Sequence, residues 1–227
     1  MTETKVSLDR SSLKTPRAAA IAGILFAVLF GASMILIDTS IPTGTASDSA
    51  MLETHSGWTT IALFLLPFAG IAFLWFIGVV RSLLGELEDR LFATVFLGGG
   101  FIFLATTLVY AGLAGALNLV YIQAPGALAG TGVALYIRLA MYQIGNFSFR
   151  MAGLFMLPLA SIWRKTGLMP RILSLLTIPL ALLLMIYPDY SIWVNLIFPA
   201  WALVVSVYIL IRKPASSVPK ATGEVPG

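Results

Sequence analysis

Arg150 is a cation near the middle of a long apolar stretch that covers residues 138–163. A charged side chain deep in a lipid bilayer costs roughly 2.5–3.5 kcal/mol on insertion scales. The apolar stretches of the chain contain no Asp or Glu that would neutralise it. Its charge therefore needs backbone carbonyls, polar side chains, water or an anion from outside the chain.

Polar residues recur every four positions along this stretch, a spacing that places them on one face of a helix. They are Arg138, Tyr142, Asn146 and Arg150, with Gln143 beside them. Polar groups in lipid face other helices or a wet cavity. One hypothesis is an anion-binding pocket open to the outer side of the membrane, with Arg150 at its floor and the other four residues along the approach.

Two other interpretations of Arg150 remain open. The stripe could be an internal polar seam, with the guanidinium bonded to backbone carbonyls that prolines in other helices set free. Such prolines are Pro67, Pro179 and Pro199. A different helix register would instead bring Arg150 nearer to a membrane interface.

Small residues form a second stripe in the first apolar stretch. They are Ala19, Gly23, Ala27 and Gly31. Small residues four apart allow two helix backbones to approach closely, either inside one bundle or between two copies. The run from Gly98 to Gly100 predicts a bend or another close crossing.

Most other site chemistry is excluded or weakly supported. The chain has no cysteine and one histidine, His55, in a segment predicted to be a polar loop. Thiolate metal sites, disulfides and two-histidine haem ligation are therefore excluded. The acidic turn at residues 86–89 lies beside arginines and predicts a salt-bridged helix cap. We expect no metal and no cofactor.

The composition indicates an integral membrane protein. Of its 227 residues, 59% are hydrophobic and 11% are charged, whereas soluble domains have about 25% charged residues. The net charge of +4 does not indicate nucleic-acid binding, because the basic residues cluster at the ends of apolar stretches. The length suits one helical bundle.

Continuous apolar runs predict an all-α fold of six transmembrane helices. They cover approximately residues 18–37, 58–80, 91–117, 138–163, 172–187 and 191–211. The fifth is short, so we expect it to be tilted or irregular. Residues 1–17 form a basic N-terminal segment, residues 18–211 the membrane domain, and residues 212–227 a disordered tail.

The distribution of lysine and arginine predicts the orientation. All 14 lysines and arginines except Arg138 and Arg150 fall on one side of the predicted bundle. Both termini lie on this side. By the positive-inside rule, both termini are cytoplasmic.

Two segments resemble a broad group of small six-helix bacterial membrane proteins. One is residues 154–176, where a proline-containing span runs into a short basic turn and Pro–Arg opens the next span. The other is residues 83–100, a charged turn before a glycine-containing span. The resemblance implies a six-helix bundle in a bacterial plasma membrane. It implies no activity and no site residues.

Three functions follow as hypotheses. The first is a non-enzymatic membrane protein that binds or moves a small amphiphilic or anionic molecule, or a membrane lipid, at Arg150. The second is a structural subunit that packs against a membrane-protein partner or a second copy through the small-residue stripe. The third is an intramembrane enzyme that acts on lipid, working from Asp38, His55 and Asp189 at the outer surface. It has the least support because acid–base groups are missing at membrane depth.

Overall fold

The computed structural model describes residues 15–40, 48–84, 90–124, 127–128, 130–167, 169–187 and 192–211. This part of the chain is all-helical. The helices are α1 Thr15–Ser40, α2 Asp48–Leu84, α3 Arg90–Gln123, α4 Val133–Thr166, α5 Arg171–Ile186 and α6 Ile192–Ile211.

The first four helices extend beyond the apolar stretches. Most of the loop predicted over residues 38–57 is helical, because α1 continues to Ser40 and α2 begins at Asp48. His55 therefore lies in a helix, and its prediction as a loop residue was wrong. Each residue added to an existing helix gains a backbone hydrogen bond, so polar residues extend it. Thr39, in the last turn of α1, also donates its hydroxyl to the carbonyl of Ile35 at 2.8 Å.

Glycines cap both ends of α4, Gly132 before its first turn and Gly167 after its last. Gly130 and Gly132 have φ values of 71° between α3 and α4, and Gly167 has a φ of 67° after α4. This left-handed conformation strains residues that carry a Cβ. The N–H of Gly167 donates to the carbonyl of Trp163 at 3.0 Å, which closes the last turn of α4.

The helices form an up-and-down bundle. Helix α1 packs between α2 and α6, α4 packs between α3 and α5, and α2 contacts α3. Neighbours in the chain run antiparallel, so α2, α4 and α6 begin at the end of the bundle where α1, α3 and α5 finish. We name this the distal end.

A layer of phenylalanine rings fills the middle of the bundle. We name it the phenylalanine layer, and its members are Phe26, Phe73, Phe103, Phe155 and Phe198, each 1% exposed or less. Ring centroids lie 4.7 Å apart for Phe26 and Phe73 and 4.8 Å apart for Phe103 and Phe198. Most of these pairs are tilted or edge-to-face, the arrangements that the aromatic quadrupole favours.

Four helices are long and apolar enough to cross a membrane. These segments are Ala20–Ser40, Gly57–Arg81, Ala93–Gln123 and Ile192–Ile211. Large apolar side chains on their outer surface, such as Trp75 at 69% and Phe64 at 66% exposure, are suited to lipid rather than water. Helix α4 carries the polar stripe, and α5 has only 16 residues.

Candidate functional site

Arg150 lies in the middle of α4 and is partly exposed. Its Nε atom is buried and has no hydrogen-bond partner. In the described part of the chain, neither a hydrogen bond nor an ion pair reaches the guanidinium. Its neighbour is an aromatic ring, since Cζ lies 5.9 Å from the ring centroid of Phe147. This distance permits a cation–π contact.

The side chain of Arg150 points toward the distal end. Phe147 precedes Arg150 by three residues, and helical side chains lean toward the N-terminus of their helix. Helix α4 begins at the distal end. The guanidinium is therefore displaced from the Cα of Arg150 toward that end, by up to about one helical turn of 5.4 Å.

Helix α5 ends at about the level of Arg150. A Cβ added to Gly153 would lie 2.6 Å from the carbonyl oxygen of Ala181 and 2.7 Å from Cγ of Met185, so Gly153 packs on the last turns of α5. Arg150 is three residues farther toward the distal end, about 4.5 Å along the axis. Because α5 finishes at Ile186, it does not extend along the more distal part of α4.

Helix α6 begins near the same level. The rings of Phe155 and Phe198 are 6.0 Å apart between centroids. Arg150 lies about 7.5 Å from Phe155 in the direction of the distal end. Ile192, the first residue of α6, lies about 9 Å from Phe198 in the same direction. Arg150 and the start of α6 are therefore at similar levels. We name the region between the described ends of α5 and α6 and the polar side of α4 the distal notch.

The four other stripe residues do not share one environment. Asn146, one turn distal to Arg150, is buried at 8% exposure. Tyr142 and Gln143 are exposed, and Arg138 is partly exposed. Arg138 is about 18 Å along the helix from Arg150, too far to share one small ligand. Along the helix axis, Asn146, Gln143 and Tyr142 lie about 6, 10.5 and 12 Å from Arg150, closer than Arg138.

The carboxyl end of α5 contributes negative potential near the guanidinium. The N–H of Tyr187 donates to the carbonyl of Leu183 at 2.9 Å, and the last three carbonyls of α5 have no helical donor. A helix C-terminus carries roughly half a negative charge, which favours a cation at this level. Among the described residues, no carbonyl freed by a proline accepts a hydrogen bond from Arg150 Nε.

The small-residue stripe of α1 lies inside the bundle. A Cβ on Gly23 would collide with the Ser206 hydroxyl and lie 2.8 Å from Cδ2 of Phe76, and one on Gly31 would lie 3.8 Å from Leu196. Ala27 is 7% exposed. Helices α2 and α6 of the same chain therefore cover this face. The side chain of Ala19 lies outside the described residues.

Sequence reasoning missed a polar group in the core near the distal end. Thr107 and Ser148 form a hydrogen bond of 2.7 Å, and Ser148 also donates to the carbonyl of Phe103 at 3.1 Å. Asn195 is 1% exposed, and both polar atoms of its amide lack partners. The one signal in the sequence was Asn195 itself, an amide within the apolar run of α6.

For the remaining candidate residues, which are acidic side chains and His55, the described part of the chain shows no site. Asp38 lies in the last turn of α1. The side chain of His55, the whole of Asp189 and the acidic turn at residues 86–89 lie outside the described residues. Within the described residues, no group of three His, Asp or Glu side chains could hold a metal ion.

Comparison with protein-family models, curated proteins and solved structures gave no match.

Proposed function

We propose that this membrane protein binds the anionic headgroup of an amphiphile in the distal notch, with Arg150 as the charge partner. The observation that carries the proposal is the partly buried guanidinium of Arg150, whose Nε is buried and unbonded. A desolvated cation gains more from an anion than a hydrated one does. Phosphate and carboxylate groups match the planar fork of N–H donors on arginine.

The surroundings of Arg150 support an amphiphile over a free anion. Phe147 is 50% exposed and Ile186, at the end of α5, is 73% exposed. A hydrocarbon chain can cover these surfaces while its headgroup reaches the guanidinium. Gln143 and Tyr142, one to two turns more distal, offer polar contacts to the rest of a headgroup.

The interior of the bundle supports binding rather than passage. The phenylalanine layer fills its middle, with Phe73, Phe103 and Phe155 1% exposed or less. The ligand in this proposal approaches from the lipid and the distal surface, and it stays on the outside of α4.

The proposal includes a topology. Six membrane crossings with both termini cytoplasmic put the distal end on the outer side of a bacterial plasma membrane. The charge distribution and the segment resemblance support this arrangement. Arg150 then lies between the phenylalanine layer and the outer surface of the membrane.

Native mass spectrometry of the protein extracted in mild detergent tests the site. We expect wild type to retain a phospholipid-mass adduct that Arg150→Ala loses and Arg150→Lys keeps more weakly, because lysine lacks the bidentate fork. Arg164→Ala, at the exposed far end of α4, is the matched control and should keep the adduct. Equal adducts on folded wild type and Arg150→Ala would refute the proposal.

A second experiment separates an amphiphile from a free anion. Delipidated protein is titrated with an anionic phospholipid, a zwitterionic phospholipid and inorganic phosphate. Saturable binding of the anionic lipid that depends on Arg150 supports the proposal. Binding of phosphate alone would mean an anion site without an amphiphile.

The structural-subunit alternative has less support. It relied on the small-residue stripe, which α2 and α6 cover within the chain. An oligomer would need a different surface.

A further inference from the structure

Asn195 places an unsatisfied amide inside the bundle. It is 1% exposed, and neither Nδ2 nor Oδ1 has a hydrogen-bond partner. A buried amide without partners is costly, and such groups usually bond to protein or ordered water. Asn195 therefore indicates a missing polar partner in the core.

A cavity lies in the same part of the bundle. Its volume is about 10 Å³, roughly the space that one water molecule needs. Its wall combines the hydroxyl-bearing Thr107, Tyr110 and Ser148 with the apolar Phe30, Met34 and Phe149. The hydroxyls in this wall are groups that can bond a water molecule.

The contacts of α6 with α3 bring Asn195 to the level of this cavity. The rings of Phe103 and Phe198 lie 4.8 Å apart between centroids. Thr107 follows Phe103 by four residues on α3, and Asn195 precedes Phe198 by three on α6. The two helices run in opposite directions, so both residues lie one turn distal to the ring contact, near the faces that carry the rings.

The contacts of α6 with α1 independently place Asn195 at the same level. Leu196 is the neighbour of Gly31, at 3.8 Å from an added Cβ. Phe30 and Met34 flank Gly31 on α1 and line the cavity, and Asn195 adjoins Leu196. Two separate helix contacts thus place the amide at the level of the cavity, whose wall is formed by residues of α1, α3 and α4.

We propose that Thr107, Tyr110, Ser148 and Asn195 build an internal hydration site, here called the core water site, that binds at least one ordered water molecule. Ser148 gives its only proton to the carbonyl of Phe103, so Thr107 is the donor in the bond between the two hydroxyls. Thr107 keeps an acceptor lone pair. A water can donate to it and accept from Asn195 Nδ2.

The phenylalanine layer closes the proximal side of the core water site. Phe103 and Phe198 are at most 1% exposed, so water does not continue toward the other end of the bundle. The site is a pocket that retains water, and it joins α3, α4 and α6 through hydrogen bonds. It is independent of ligand binding at Arg150.

Hydroxyl-radical footprinting by X-ray radiolysis tests the inference, because bound internal water generates radicals beside the residues it touches. Met34 lines the cavity and is 3% exposed, whereas Met156 is 0% exposed and lies away from it. We expect Met34 in the wild type to be oxidised several-fold faster than Met156. Equal, slow oxidation of the two methionines would overturn the inference.

Two variants check that the water depends on the proposed residues. Asn195→Leu combined with Thr107→Val should lower oxidation of Met34 to the rate of Met156. Ser206→Ala is the control, since Ser206 also has an unbonded buried hydroxyl but adjoins Gly23; it should leave Met34 oxidation unchanged. Fast oxidation of Met34 in the folded double variant would mean bulk solvent access and would also overturn the inference.

Discussion

Gly98, Gly99 and Gly100 stand side by side in α3 and differ in what surrounds them. A Cβ on Gly99 would lie 2.9 Å from the backbone nitrogen of Phe155 and 3.2 Å from the carbonyl oxygen of Met151. A Cβ on Gly98 would meet nothing within 4 Å. The run was predicted to mark a bend or a close crossing, and Gly99 marks a close crossing with α4.

This difference gives a matched pair of substitutions. Gly99→Ala should lower the free energy of unfolding by about 1–3 kcal/mol, since the backbone of α4 has to move away. Gly98→Ala should raise it by up to about 1 kcal/mol, because alanine favours the helix. Unfolding in detergent with increasing SDS, followed by circular dichroism, measures both. Equal effects of the two variants would contradict the close crossing.

At the scale of elements, α5 is the helix on which the candidate site depends. It packs chiefly on α4, and its end at Ile186 borders the distal notch. Its link to α6 is a hydrogen bond of 2.9 Å from Trp201 Nε1 to Thr177 Oγ1. Trp201 also stacks on Trp163 of α4, at 6.0 Å between centroids.

The hydrogen bond between α5 and α6 should be measurable as a coupling energy. A double-mutant cycle with Trp201→Phe and Thr177→Val is expected to give about 0.6 kcal/mol and at most about 1.7 kcal/mol, the average and the maximum for hydrogen bonds between membrane helices. Unfolding free energies of the four proteins supply the cycle. A coupling near zero would show that the two helices are held by packing alone.

At the scale of the whole molecule, the open question is how many helices cross the membrane. Four helices have the length and hydropathy to do so. Helix α4 is not among these four, because its polar stripe lowers its mean hydropathy. For α5, the 16 residues cover about 24 Å, less than the roughly 30 Å of hydrocarbon.

Cysteine labelling answers this directly, because the natural chain has no cysteine. Thr131→Cys, before α4, should react with a membrane-impermeant maleimide on intact cells. Lys165→Cys, at the end of α4, should react only after permeabilisation. Labelling of both on intact cells would mean that α4 does not cross, and the reverse pattern would mean the opposite orientation.

Much of the fold followed from local patterns in the sequence. Long apolar runs require helices in lipid, because each backbone polar group must bond within its own segment. The number and order of the helices could therefore be predicted. Their ends could not, since α2 continues through polar residues such as His55 that hydropathy assigned to a loop.

The sites depended on contacts between distant parts of the chain. By its position in α4, Arg150 is central, yet the packing of Gly153 on the last turns of α5 brings it level with a helix end. Asn195 was one amide in an apolar run until packing placed it, without a partner, in the core at the level of the cavity. Spacing along a helix is a local property that the sequence alone determines. The depth and the partners of a side chain are set by where other helices pack and end. Only the tertiary structure contains that information.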